Sequence, residues 1–140
     1  MTWKQMILIV ALFTCAACVA SCTSSGTRLA GTEWRLTSMS GRALIEGTEM
    51  SLTFDETTFS GSAGCNTYGG SYSADAVALR GRGIYATEMG CMEPEGVLEQ
   101  EQAYLAALAT VVSYRVENGR LEMHDEAGSQ ILTFAPLGGN

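Results

Sequence analysis

The chain has 140 residues, enough for one domain with its own hydrophobic core. Its formal net charge is −7, and it becomes −8 when the only lysine, Lys4, is removed with the N-terminal segment, because seven arginines then face 15 acidic residues. This charge disfavours nucleic acid and anionic lipid headgroups as partners. The acidic residues are scattered along the chain, which is typical of a solvated surface.

The first residues have the pattern of a signal peptide for export. Lys4 supplies positive charge, and Thr14 is the only clearly polar residue between Met6 and Ala20. A membrane-spanning helix needs about 20 apolar residues, and this run is shorter. We therefore expect a cleaved signal peptide at residues 1–21 rather than a retained membrane helix.

Residues 19–22 read Val-Ala-Ser-Cys and resemble the bacterial lipobox. In that class the cysteine thiol receives a diacylglyceryl group and becomes the mature N-terminus, so Cys22 would carry palmitate-type chains, and two or more chains anchor a protein stably. Cys18 is a rival acceptor, but Cys15 stands where an aliphatic residue belongs. Thr23 is not the aspartate of an inner-membrane retention signal. We therefore expect a lipoprotein of the outer membrane that faces the periplasm.

Two cysteines remain beyond the signal peptide and the lipidation site. Residues 22–28 are predicted to be the lipidated N-terminus and a tether, and residues 29–137 the folded domain, which contains Cys65 and Cys91. An even pair in an oxidising compartment favours a disulfide bond. On the chain-entropy model, closing this loop would raise the free energy of unfolding by about 3–4 kcal/mol. Two free buried thiols are the alternative.

The folded domain shows a succession of short segments in which polar and apolar residues alternate, the pattern of half-buried strands. Asn118-Gly119 is the strongest hairpin signal, because both residues tolerate positive φ. The predicted strands are Thr32–Met39, Met50–Phe54, Thr58–Gly64, Tyr68–Ser73, two weaker ones at Ala76–Leu79 and Ile84–Thr87, two around Tyr114–Val116 and Leu121–Met123, and Gln130–Ala135.

One segment has the period of an amphipathic helix. Pro94–Val112 places seven apolar residues on one helical face, with Pro94 suited to the first turn. A single helix among about eight strands would cover one face or plug one end of a curved antiparallel sheet. The predicted fold class is therefore mainly β with one α-helix.

Two polar residues are candidates for a structural or binding role. At 100° per residue, Glu101 falls in the middle of the apolar arc of the helix, and a buried carboxylate must be hydrogen-bonded or paired. We predict an anchor that accepts hydrogen bonds from backbone amides around Gly64–Asn66; the alternative is a functional acid in a pocket. Asn66 is predicted to be a turn residue in the left-handed (αL) conformation whose side chain caps local backbone amides, or else to belong to a binding loop that the cysteine bridge holds rigid.

Several motifs, taken in order and spacing, resemble one family. They are Gly31–Leu36, Gly64–Asn66 followed by Gly70–Tyr72, Thr87–Cys91, and Glu99–Leu108. Together they resemble the META domain family, which includes the HslJ-like heat-inducible (heat-shock) envelope lipoproteins, and the likeness runs from about Gly31 to Phe134. The resemblance implies a small antiparallel fold likened to an incomplete β-barrel, a role in envelope stress and antibiotic resistance, and no established enzymatic reaction. A fold likeness to secretin pilotins implies a hydrophobic cavity.

These observations lead to one functional expectation and two alternatives. We expect a monomeric, lipid-anchored, non-catalytic envelope domain without cofactor or metal, which serves stress tolerance by binding a protein or an apolar ligand. A pilotin-like assembly factor would instead cradle lipid or peptide in a cavity. A small envelope hydrolase would use Glu101 as its acid.

Overall fold

The computed structural model describes residues 28–138, so the predicted signal peptide and Cys22 lie outside the described residues. Within this range no helix is long and apolar enough to cross a membrane. The elements in chain order are β1 Thr32–Met39, β2 Ser51–Phe54, β3 Thr58–Ser62, β4 Thr67–Asp75, β5 Ala78–Ala86, α1 Val97–Ala109, β6 Ser113–Glu117, β7 Arg120–His124 and β8 Gln130–Pro136.

The eight strands form one antiparallel barrel in chain order. Each strand pairs with its neighbour in the sequence, and β8 returns to pair with β1. The seam between β5 and β6 is the narrowest, with Ala78 paired to Ser113, and α1 connects these two strands. The predicted class, mainly β with one helix, is confirmed, and the barrel is closed rather than incomplete.

The two weak strands predicted at Ala76–Leu79 and Ile84–Thr87 overlap the two ends of the single strand β5, and Ala76 and Val77 belong to the β4–β5 turn. Gly69 of β4 pairs with Tyr85, whereas Ser71 pairs with Arg82, so β5 carries one extra residue between these pairs. Gly83 lies there with a φ of 59°, a conformation that glycine adopts without steric cost. This bulge breaks the alternation along β5, which is why the pattern divides the strand in two.

The interior of the barrel is filled by side chains. Alternate residues of the strands point inward, as the period of two requires, and burial of each large apolar side chain contributes about 1.5–3 kcal/mol. The fully buried ones include Leu52, Phe54, Tyr68, Leu121, Met123, Leu132 and Phe134.

Helix α1 closes one end of the barrel. Its side chains contact the β1–β2 connection through Gln100 and the β3–β4 connection through Glu101. The helix is three residues shorter at each end than predicted: Gly96, with a φ of 83°, stands at its N-terminal cap and Thr110 at its C-terminal cap. The left-handed conformation of Gly96 excludes the preceding residues from the helix, so Pro94 is not in its first turn.

Candidate functional site

The Glu101 carboxylate joins α1 to the connection between β3 and β4. Its Oε2 accepts hydrogen bonds from the backbone N–H groups of Asn66 (2.7 Å) and Cys65 (3.3 Å). Its Oε1 accepts a third from the Asn66 side-chain amide (2.6 Å). Glu101 is only 6 % exposed. Both oxygens are therefore engaged by N–H donors, which is the geometry of an anchor rather than of an acid facing an open pocket.

The side chain of Asn66 extends this anchor to the chain beyond β5. Its Nδ2 donates to the Met89 carbonyl oxygen (3.2 Å) in addition to Glu101. Its Oδ1 accepts from the Met89 backbone N–H (2.6 Å) and the Thr87 hydroxyl (2.8 Å). Asn66 thus bonds both backbone groups of Met89, a role beyond the predicted local turn cap. The predicted left-handed conformation of Asn66 is wrong, because its φ is not positive. The carboxylate of Glu101 and the amide of Asn66 act as one buried network.

A disulfide bond closes the same network covalently. Cys65 and Cys91 have their sulfurs 2.02 Å apart, across 26 residues of sequence. Gly64 lies directly before Cys65 and has a φ of 109°. A Cβ added to Gly64 would lie 3.3 Å from Val97 Cγ2 of α1. Glycine is required because a side chain would be strained and would crowd the helix. The structure thus brings Gly64, Cys65, Asn66, Cys91 and Glu101 together; we call these five residues the Asn66–Glu101 cluster.

A second polar anchor on α1 was not predicted. The Gln100 side chain accepts a hydrogen bond from the Ile45 backbone N–H (2.7 Å) and donates one to the Thr48 hydroxyl (2.9 Å). Gln100 and Glu101 are both buried, whereas Leu98 and Leu105 are only half-buried. The buried face of α1 is therefore rotated away from the predicted arc. The spacing of Gln100, three residues after Val97 and four before Tyr104, is the signal that could have revealed it.

Two tyrosines complete the contact between α1 and the barrel. The hydroxyls of Tyr68 and Tyr104 lie 2.6 Å apart, and Tyr68 donates to the Ser51 carbonyl oxygen (2.8 Å), so Tyr104 donates to Tyr68. Burial raises the pKa of both phenols above the usual value of 10.0, most strongly at Tyr104. Both remain protonated at neutral pH and act as structural hydrogen-bonding groups.

The chain held by the Asn66–Glu101 cluster exposes apolar side chains. Tyr85 is 66 % exposed, Met89 55 % and Met92 86 %, and we call residues 85–92 the apolar segment. Tyr85 lies across Gly69 of β4, where an added Cβ would be 2.7 Å from its hydroxyl. Exposed apolar side chains on an ordered backbone are suited to binding a partner.

A surface cavity and an ion pair lie apart from the Asn66–Glu101 cluster. A surface cavity of about 460 Å³ is lined by residues that include Arg28, Glu56, Tyr72, Asp75 and Tyr114, and neither Asn66 nor Glu101 lines it. Its Arg28–Glu56 ion pair, 2.6 Å between nitrogen and oxygen, is exposed. Within residues 28–138 there is no group of three histidine, cysteine, aspartate or glutamate residues that could hold a metal ion.

Comparison with known proteins adds a family and several structures. The META domain model matches residues 27–136, which is 110 of the 140 residues. An NMR structure of a protein from Burkholderia xenovorans has 28 % sequence identity and a TM-score of 0.62, over 79 % of this chain and 85 % of that one. No curated protein has a significant sequence match.

Two further structures are similar in fold at lower sequence identity. A second NMR structure has 22 % identity and a TM-score of 0.61, over 76 % of this chain and 90 % of the other. The crystal structure of a DUF4847 family protein from Bacteroides vulgatus ATCC 8482 has 16 % identity and a TM-score of 0.56, over 80 % and 96 % of the two chains. These two similarities show the fold alone.

Proposed function

Because the chain belongs to the META domain family, we propose that it is a non-catalytic domain of the bacterial cell envelope that acts by binding another protein. Lipid on Cys22 holds it at the outer membrane, facing the periplasm, and the family resemblance supports a role in envelope stress. The observation that carries the proposal is the apolar segment, in which Tyr85, Met89 and Met92 are exposed and the buried Asn66 side chain holds the backbone of Met89.

The interior of the barrel supports protein binding over a cradle for lipid or peptide. A pilotin-like assembly factor would need an apolar cavity, but large side chains such as Phe54, Tyr104 and Phe134 fill the inside of the barrel. The engagement of Glu101 by three N–H donors supports a binding domain over a hydrolase, because a general acid must be within reach of a substrate.

The anchoring part of the proposal is tested by two matched cysteine variants of the full chain. Cys22→Ser removes the proposed acyl acceptor, so the protein should lose its acyl label and appear in the soluble fraction. Cys18→Ser is the control and should remain labelled and membrane-bound. A Cys22→Ser protein that keeps its label and its membrane association would show that the anchor has been assigned to the wrong residue.

A further inference from the structure

We propose that the apolar segment and the glutamates around it form the docking surface for a protein segment that combines apolar side chains with lysine or arginine. The inference rests on the proposed function and specifies its partner. Three observations carry it: the exposure of the side chains, the fixed backbone beneath them, and the charge that surrounds them.

The exposure is concentrated in one short stretch of the chain. Among the described residues, the large hydrophobic side chains that are exposed are Val77, Tyr85, Met89 and Met92. Three of these four lie within eight consecutive residues, from Tyr85 to Met92. Exposed apolar groups are normal when scattered singly, but a concentration of them marks an interaction surface. Methionine adapts its shape to different apolar partners.

The backbone of the apolar segment is fixed before any partner binds. The Thr87 backbone N–H donates to the Thr67 carbonyl oxygen (2.9 Å), and Asn66 holds both the N–H and the C=O of Met89. Cys91 is tied to Cys65 two residues later. Binding to an ordered loop avoids the entropy cost of fixing it. The Asn66–Glu101 cluster thus uses buried polar groups to hold a stretch of backbone whose apolar side chains are exposed.

The charged residues within the apolar segment and after it, as far as Arg115, are all acidic, and Arg82 lies three residues before Tyr85. Between Arg82 and Arg115 the chain has no lysine or arginine but five glutamates, and four of them, Glu88, Glu93, Glu95 and Glu99, are exposed. Complementary charge steers association and fixes specificity. A basic partner is therefore favoured, and the negative surface of an anionic membrane is disfavoured.

A second copy of this chain fits the surface poorly. A symmetric dimer through the apolar segment would bring the same four exposed glutamates of each copy together, since a twofold interface pairs one patch with itself. Like charges placed face to face cost affinity. The occupant that matches both the methionines and the glutamates is an apolar and basic segment of another envelope protein.

The test is site-specific photocrosslinking of the full, lipidated chain in the cells that produce it. Benzoylphenylalanine replaces Met92 in one variant and Val77, which is also well exposed (64 %), in the control. We expect a discrete crosslinked protein from position 92 and at least about tenfold less from position 77. Mass spectrometry should place the crosslink in a segment with apolar and basic residues.

A charge reversal completes the test. Glu93→Lys combined with Glu95→Lys should lower the crosslink yield at position 92 by about fivefold or more, whereas Glu126→Lys, on the β7–β8 turn, should leave it unchanged; thermal melting checks that each variant is folded. A crosslink to lipid, to a second copy, or to an acidic segment overturns the inference. Partner crosslinks at position 77 but not at 92 overturn the docking surface and leave the proposed function standing. The absence of crosslinks at both positions overturns both.

Discussion

The two ends of strand β5 expose apolar side chains to a similar degree but hold their backbones differently. At the first end, the β4–β5 turn exposes Val77, and Ala76 beside it has a φ of 46°, in the left-handed region. At the second end, the chain from Thr87 to Cys91 is bonded to Asn66 and Cys65. The first end is an ordinary hairpin tip.

The difference shows why exposure alone does not identify a binding surface. The Val77 carbonyl oxygen accepts a hydrogen bond from the Tyr114 backbone N–H (2.8 Å), but no buried carboxylate or carboxamide among the described residues holds this hairpin tip. The apolar segment depends on a buried glutamate and a buried asparagine, whose burial would be costly without their mutual hydrogen bonds. Because these buried polar groups hold an exposed loop, they support the proposal that the loop is a docking surface.

The largest expected effect comes from removing the carboxylate that supports the second end of β5. Glu101→Ala leaves the N–H groups of Asn66 and Cys65 without acceptors, and we expect a loss of about 4 kcal/mol in the free energy of unfolding. Urea denaturation measures it. The control is Gln102→Ala, an exposed site on the same helix, with an effect within about 0.5 kcal/mol. Equal stability of the two variants would contradict the anchor.

The disulfide is expected to contribute slightly less. Replacing both Cys65 and Cys91 by serine should lower the free energy of unfolding by about 3 kcal/mol, because the unfolded chain gains the entropy of an open 26-residue loop. Reduction of the wild-type protein should have the same effect under the same urea titration. If reduction leaves the unfolding midpoint unchanged, the bridge does not support this end of β5.

A smaller effect should appear at alkaline pH. The pKa values of Tyr68 and Tyr104 are raised in the folded protein, so their contribution is complete below about pH 10, the unfolded value, and is lost as the pH rises above it. Well above pH 10, each buried phenol lowers the free energy of unfolding by about 1.4 kcal/mol per pH unit. Tyr104→Phe should therefore make the decrease in stability between pH 10 and pH 11 shallower by about 1 kcal/mol, because the unfolded phenol is already half ionised at pH 10. An unchanged slope in urea titrations at the two pH values would contradict the assignment.

The smallest effect is expected from the exposed residues themselves. Met92→Ser and Val77→Ser should each change the free energy of unfolding by less than about 0.5 kcal/mol, because neither side chain is buried. The comparison predicts that they differ in binding and not in stability. A large loss of stability in Met92→Ser would mean that Met92 belongs to the core and not to a docking surface.

Local periodicity accounts for much of what the sequence predicted. The helical period alone places Glu101 on the inner face of α1. The alternation of polar and apolar residues predicts β1, β2 and the β6–β7 hairpin. The ends of α1 were missed because the positive φ of Gly96 is a backbone property that the apolar pattern does not report. The bulge in β5 was missed because an extra residue at Gly83 mimics the end of a strand.

The contacts of the site were harder to predict from the sequence, for a different physical reason. Asn66 is hydrogen-bonded to Met89, 23 residues away in the sequence, and Gln100 is hydrogen-bonded to Ile45, 55 residues away. Such contacts depend on how the barrel closes, and no local period encodes them. The predicted partners of Glu101 around Gly64–Asn66 are close in space because the β3–β4 connection lies at the end of the barrel that α1 covers.

Amide hydrogen exchange of the folded domain tests the central claim, that buried polar groups hold the apolar segment in place, most directly. The Met89 N–H, bonded to Asn66 Oδ1, should exchange about a hundredfold more slowly than the N–H groups of Ala76 and Val77 in the β4–β5 turn, and Glu101→Ala should remove most of that difference. Exchange at Met89 as fast as in the turn of the wild-type protein would contradict the account.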